Sequence, residues 1–120
     1  MNYYENIIIV DPTLGDEEVT EVSNKCKETI EKYGGTILKT DNWGRRKLAY
    51  ELNKRSQGYY ILYTFRAPSE AIAKMERFYR VYEPVFKFMF VRLEKKQLKA
   101  LLDELKQPEE QSQETETQGA

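Results

Sequence analysis

The sequence predicts an α+β fold, a four-stranded antiparallel sheet with two helices packed on one of its faces. Three observations carry this. Apolar segments with strand-like and helix-like spacing follow one another in the order βαββαβ. Gly or Pro closes most of them. A chain of 120 residues that is 40% hydrophobic, with nine Tyr and five Phe, makes one domain with one core.

Tyr3 to Val10 is rich in β-branched and aromatic residues and stops at Asp11-Pro12, as a strand closed by a turn does. Asp16, Glu17 and Glu18 then place negative charge where a helix N-terminus favours it. Val19, Val22, Cys26, Ile30 and Tyr33 recur every three or four residues, and Gly34-Gly35 ends this first helix with a left-handed cap. Thr36 to Leu52 reads as a long second strand with a bulge at Gly44, beyond which Arg46, Leu48, Tyr50 and Leu52 share one parity. Asn53 to Gly58 is expected to turn the chain into a third strand, Tyr59 to Arg66. Ala67-Pro68-Ser69 opens a second helix with the stripe Ile72, Met75, Tyr79 and Tyr82, Phe78 lying at its edge, and Glu83-Pro84 stops it. Val85 to Leu93 is the fourth strand. Glu94 to Lys106 forms a short amphipathic helix that is expected to leave the domain.

This order gives a ferredoxin-like two-layer sandwich. The expected division is a domain at 1–95, a helical extension at 96–106 and a disordered acidic tail at 107–120. The tail has four Glu and no large apolar side chain, so burial cannot offset its ordering entropy.

The formal net charge of −1 hides a segregation. Between Thr36 and Arg66 seven basic residues face only Asp41 and Glu51, whereas residues 11–35 carry seven acidic residues against three lysines. Arg45, Arg46 and Lys47, with Lys54 and Arg55, crowd one hairpin. So much like charge on a strand points to a polyanion; edge protection against aggregation is the rival explanation. Trp43 reads as a packing anchor beside the Gly44 bulge.

One sheet face should be solvated, yet the strands are apolar on both parities. With the larger aromatics of strands three and four turned to the helices, the second face carries Tyr60, Leu62, Met89 and Val91, fringed by Lys47 and Lys87. Such a patch fits a protein partner, although single exposed apolar residues are also ordinary.

Catalysis has no foothold. There is no histidine, and a single cysteine cannot build a metal cluster of zinc spacing. Cys26 falls on the stripe of helix one and reads as a buried structural thiol. No phosphate-binding glycine loop, cofactor site or small-molecule substrate site is expected, and no apolar run approaches the length of a membrane span. A lone cysteine and an N-terminus unlike a signal peptide lead to a reducing, cytoplasmic setting as the expectation. Gln57-Gly58-Tyr59-Tyr60-Ile61 matches only loosely the stacking motif of the RNA-binding module that shares this βαββαβ order.

The run Asp41-Asn42-Trp43-Gly44-Arg45-Arg46-Lys47-Leu48-Ala49-Tyr50, with Tyr4-Glu5, Asp11-Pro12, Tyr33-Gly34 and Gln57-Gly58-Tyr59, resembles the bacterial small-subunit ribosomal protein six family from about Tyr4 to Arg92. Asn6 departs from the apolar residue expected at its position. The resemblance implies a non-catalytic, ribosome-bound protein that contacts small-subunit (16S) ribosomal RNA together with small-subunit ribosomal protein eighteen. The candidate phosphate contacts are then Arg45, Arg46, Lys47 and Arg92, followed by Lys54, Arg55 and Lys87. The candidate partner contacts are Tyr60, Leu62, Met89, Val91 and Ala49. The competing reading is a ferredoxin-like protein–protein or regulatory module without RNA binding.

Overall fold

A computed structural model describes residues 1–52 and 55–105, with the backbone alone described for Ala49, Tyr50, Leu52 and Leu105. Lys54 and the expected tail at 107–120 lie outside the described residues. The elements run β1 (Asn2–Val10), α1 (Asp16–Lys32), β2 (Thr36–Leu52), β3 (Arg55–Ala67), α2 (Glu70–Val81), β4 (Val85–Arg92) and α3 (Lys95–Leu105). The sheet is antiparallel in the order β2-β3-β1-β4, so each helix crosses over a strand and the fold is ferredoxin-like.

Residue parity decides which face is which. Tyr4, Ile8 and Val10 of β1 pair in register with Phe65, Ile61 and Tyr59 of β3, and Phe88 and Phe90 of β4 lie beside Ile8 and Asn6. These side chains pack with Val19, Val22, Cys26 and Ile30 of α1 and with Ala71, Met75 and Tyr79 of α2, so both helices cover the same face. Asn6 sits in this core at 0% exposure. Its Nδ2 donates to the Met89 carbonyl at 3.0 Å, and its Oδ1 accepts from the Tyr79 hydroxyl, so a polar residue is tolerated because both ends are satisfied.

The α1 signals act as expected. Glu18 accepts the Gly15 N–H at 3.3 Å, and the helix ends with Gly34 N–H donating to the Glu31 carbonyl and Gly35 N–H to the Ile30 carbonyl. Gly34 supplies the positive φ of 92° that this cap requires. On β2 the register shifts between Asn42 and Gly44, where Gly44 adopts a φ of 79°, and again between Ile37 and Lys39 and between Lys47 and Leu52.

Two elements differ from expectation. β3 begins at Arg55, so residues 55–58 belong to a strand instead of a turn, and Lys47 pairs with Gln57. α3 does not leave the body: the Leu93 N–H donates to the Tyr3 carbonyl at 2.9 Å, Leu101 is buried, and Lys39 holds Glu104 at 2.6 Å. The helix therefore returns over the face opposite α1 and α2.

Cys26 is fully buried, and desolvation pushes its thiol up to about 12. In the native protein at pH 8, alkylation of Cys26 should be slower than in denaturant by orders of magnitude, because the thiolate is both scarce and enclosed. Comparable rates by mass spectrometry would contradict this burial.

Candidate RNA and protein interface

The pairing of β1 with β3 ends at Val10–Tyr59, so the β2–β3 hairpin continues past the helix-covered part of the sheet. Two arginines brace it. Arg45 Nε donates to the Pro12 carbonyl and its Nη2 to the Leu14 carbonyl, both at 3.1 Å, with the guanidinium 5.8 Å from the Tyr59 ring centre. Arg55 Nη2 donates to Asp11 Oδ2 at 3.0 Å and lies over the Phe86 ring. Asp11 also accepts the Thr13 N–H and hydroxyl. Those hydrogen bonds, then Arg55, hold its carboxyl below the ordinary carboxylate range despite some burial. Both guanidiniums thus spend donors on the turn between β1 and α1.

Arg46 and Lys47 are placed differently. Arg46 and Arg45 alternate in parity, and the Arg46 guanidinium lies 5.0 Å from the Trp43 ring centre. Trp43 in turn stacks on Tyr60, with ring centres 6.2 Å apart and 21° between planes. The Trp43 anchor expected from sequence is therefore a half-open layer on the second sheet face, still 37% exposed. Arg46 and Lys47 are exposed and make no ion pair with a carboxylate among the described residues. They leave positive charge available on a braced platform.

The other basic candidates are scattered. Arg92 lies at the opposite end of the sheet, where its Nη2 donates to Asn2 Oδ1 at 3.3 Å. Lys87 is beside Ile9 on β4. Lys47 shares the parity of Arg45, so it does not fringe the second face as expected.

Tyr60, Leu62, Met89 and Val91 do fall on one face. Ile9 lies between Tyr60 and Lys87, and Ile7 lies between Leu62 and Met89, so β1 joins the two halves of the patch. Sequence reasoning missed Ile7 and Ile9 because that strand is apolar on both parities. Met89 is 45% and Val91 37% exposed, but Leu62 is only 8% exposed, since α3 passes over it. The Ala49 side chain lies outside the described residues.

Gly58 shows how tightly the patch is built at its lower end. A Cβ there would stand 2.2 Å from Ile9 Cγ2 and 3.3 Å from the Phe86 ring, so only hydrogen fits between strand and side chains. Among the described residues, no three His, Cys, Asp or Glu side chains gather into a possible metal site, and no helix is long and apolar enough to cross a membrane.

Comparison with known proteins gives this arrangement a family. Residues 3–92 match the family described as ribosomal protein S6. The small ribosomal subunit protein bS6 of Clostridium novyi is 43% identical over 95 residues, which are 79% of this chain and the whole of that one. The bS6 protein of a Sulfurovum strain is 40% identical over 105 residues, 88% of this chain and 83% of that one. The crystal structure of 30S ribosomal protein S6 from Thermotoga maritima superposes with a TM-score of 0.74 at 28% identity, covering 93% of this chain and 97% of the other. Shared sequence across the whole sandwich and a shared architecture lead to one conclusion: the chain belongs to the ribosomal protein S6 family of the small ribosomal subunit.

Proposed function

We propose that this chain is a non-catalytic component of the small subunit that binds 16S ribosomal RNA jointly with small-subunit protein eighteen. The observation that carries the RNA half is the division of labour on the hairpin. Arg45 and Arg55 spend hydrogen bonds on the β1–α1 turn and stiffen the platform, whereas Arg46 and Lys47 keep their charge outward. Rigid placement lowers the ordering cost of a phosphate contact, and each neutralised phosphate releases counterions. The protein half rests on the apolar face around Ile7, Met89 and Val91, which is more contiguous than scattered surface hydrophobes. Work in the reducing cytoplasm is part of the same proposal.

A salt titration against a labelled ribosomal RNA fragment, with protein eighteen present, tests the RNA half. Arg46→Ala plus Lys47→Ala should lower the slope of log affinity against log salt by roughly 1.5 to 2. Arg45→Ala should act mainly by loosening the turn, leaving that slope nearly unchanged while lowering the unfolding midpoint. An unchanged slope in the double variant would remove Arg46 and Lys47 from the phosphate contacts.

A further inference from the structure

The second sheet face carries its own cover. α3 sets out from the β4 edge, where Leu93 is bonded to Tyr3, and finishes at the β2 edge, where Lys39 holds Glu104 at 2.6 Å and lies 3.6 Å from Asp41. Its eleven residues span about 16 Å, and three inter-strand steps span about 14 Å. The helix therefore runs from the end of β4 over β1 and β3 to β2.

The contact is latched at its ends more than it is fused along its length. Leu101 is buried against the sheet, yet it is not part of the main core cluster. A groove of about 360 Å³, open to solvent, remains between helix and sheet, lined by Glu5, Leu62, Thr64, Gln97 and Leu101 among others. A helix packed against the sheet along its whole length would close such a groove. The family match stops at residue 92, before α3 begins, and the Clostridium novyi relative is matched along its whole length by 95 residues. The helix therefore lies outside the matched part of the sandwich.

The geometry points to α3 as an intrachain strap: docked, it occupies the Leu62 end of the apolar face, and a protein partner that engages Leu62 must first lift it. This rests on the partner reading above. Free chain in the strapped state is closed to the partner, so apparent affinity falls by the fraction that is open. The strap thereby makes the face available only to a partner that outbids the Lys39–Glu104 latch and the Leu101 contact.

The test uses the full chain and an unlatched full-chain variant carrying Glu104→Lys and Leu101→Gln, titrated with isolated protein eighteen. Trp43 is this chain's single tryptophan and lies on the same face, so its fluorescence follows binding. The variant should bind about five- to tenfold more tightly, and amide exchange should show Leu98 to Leu102 losing protection when the unmodified chain is bound. Equal or weaker binding by the variant overturns the strap while leaving the partner surface standing. If neither form binds, the partner reading itself falls and the strap with it.

Discussion

Asn6→Val should lower the free energy of unfolding by about 2 kcal/mol in urea denaturation, although valine is the kind of residue the strand pattern calls for. Asn6 joins three elements at one buried point: β1 carries it, Met89 on β4 accepts from its Nδ2, and Tyr79 on α2 donates to its Oδ1. Valine fills much of the space but leaves the Tyr79 hydroxyl, on a ring only 2% exposed, without that acceptor. Ionisation offers no escape, since burial raises the phenol well above its ordinary range. The penalty is therefore one of an unmet donor more than of lost volume. Tyr79→Phe alone removes the donor and strands the Asn6 oxygen. The combined variant should recover at least about 1 kcal/mol relative to the sum of the two single losses, because neither group is then left unmet. Strictly additive losses would mean that the two side chains are not coupled and that the hydrogen bond contributes nothing.

The same residue shows how far sequence alone reaches. The strand and helix order was legible because each stripe has a period set by geometry: Val19, Val22, Cys26 and Ile30 all reach the core, as do Met75 and Tyr79. The Gly44 bulge was legible because only glycine takes that φ cheaply. The shift beside Leu38 was not, since a bulge without glycine leaves no residue signature. By sequence residues 55–58 suggest a turn because Arg55, Ser56 and Gln57 show no apolar alternation, yet pairing there requires only backbone groups and a strand to follow.

The positive charge of the hairpin was visible, but its use was not. Arg45 is held by the carbonyls of Pro12 and Leu14, and a backbone acceptor has no counterpart in composition. Beside the edge protection and polyanion binding that the charge alone suggests, part of the cluster thus has a third role, bracing. The destination of α3 was hidden for a related reason. An amphipathic stripe demands a partner without saying whether that partner is the same chain, and Lys39 and Glu104 lie 65 residues apart. Burial alone would lower the Lys39 pKa, but the Glu104 and Asp41 carboxylates outweigh it and raise the value above the ordinary one, keeping the latch charged.

That hidden helix decides which substitution tests the apolar face. Met89→Glu should weaken pairing with protein eighteen by about 100-fold, or roughly 3 kcal/mol, while leaving the unfolding midpoint within error. Met89 is 45% exposed on an edge strand, so a carboxylate there stays hydrated in the free protein. In a complex it would be buried beside Ile7 and Leu62, where methionine's apolar contact is replaced by a charge that must lose its water, a cost that apolar contacts cannot offset. Leu62→Glu looks equivalent by parity but is a worse probe. It drives a charge beneath Leu101 at a site only 8% exposed, so it would disturb α3 and the sheet before any partner arrived. Loss of pairing in that variant could come from either cause, whereas in Met89→Glu the unchanged midpoint separates them. Should pairing persist at the unmodified level with Met89 charged, the partner docks elsewhere on the sandwich, and coverage of this face by α3 has no bearing on assembly.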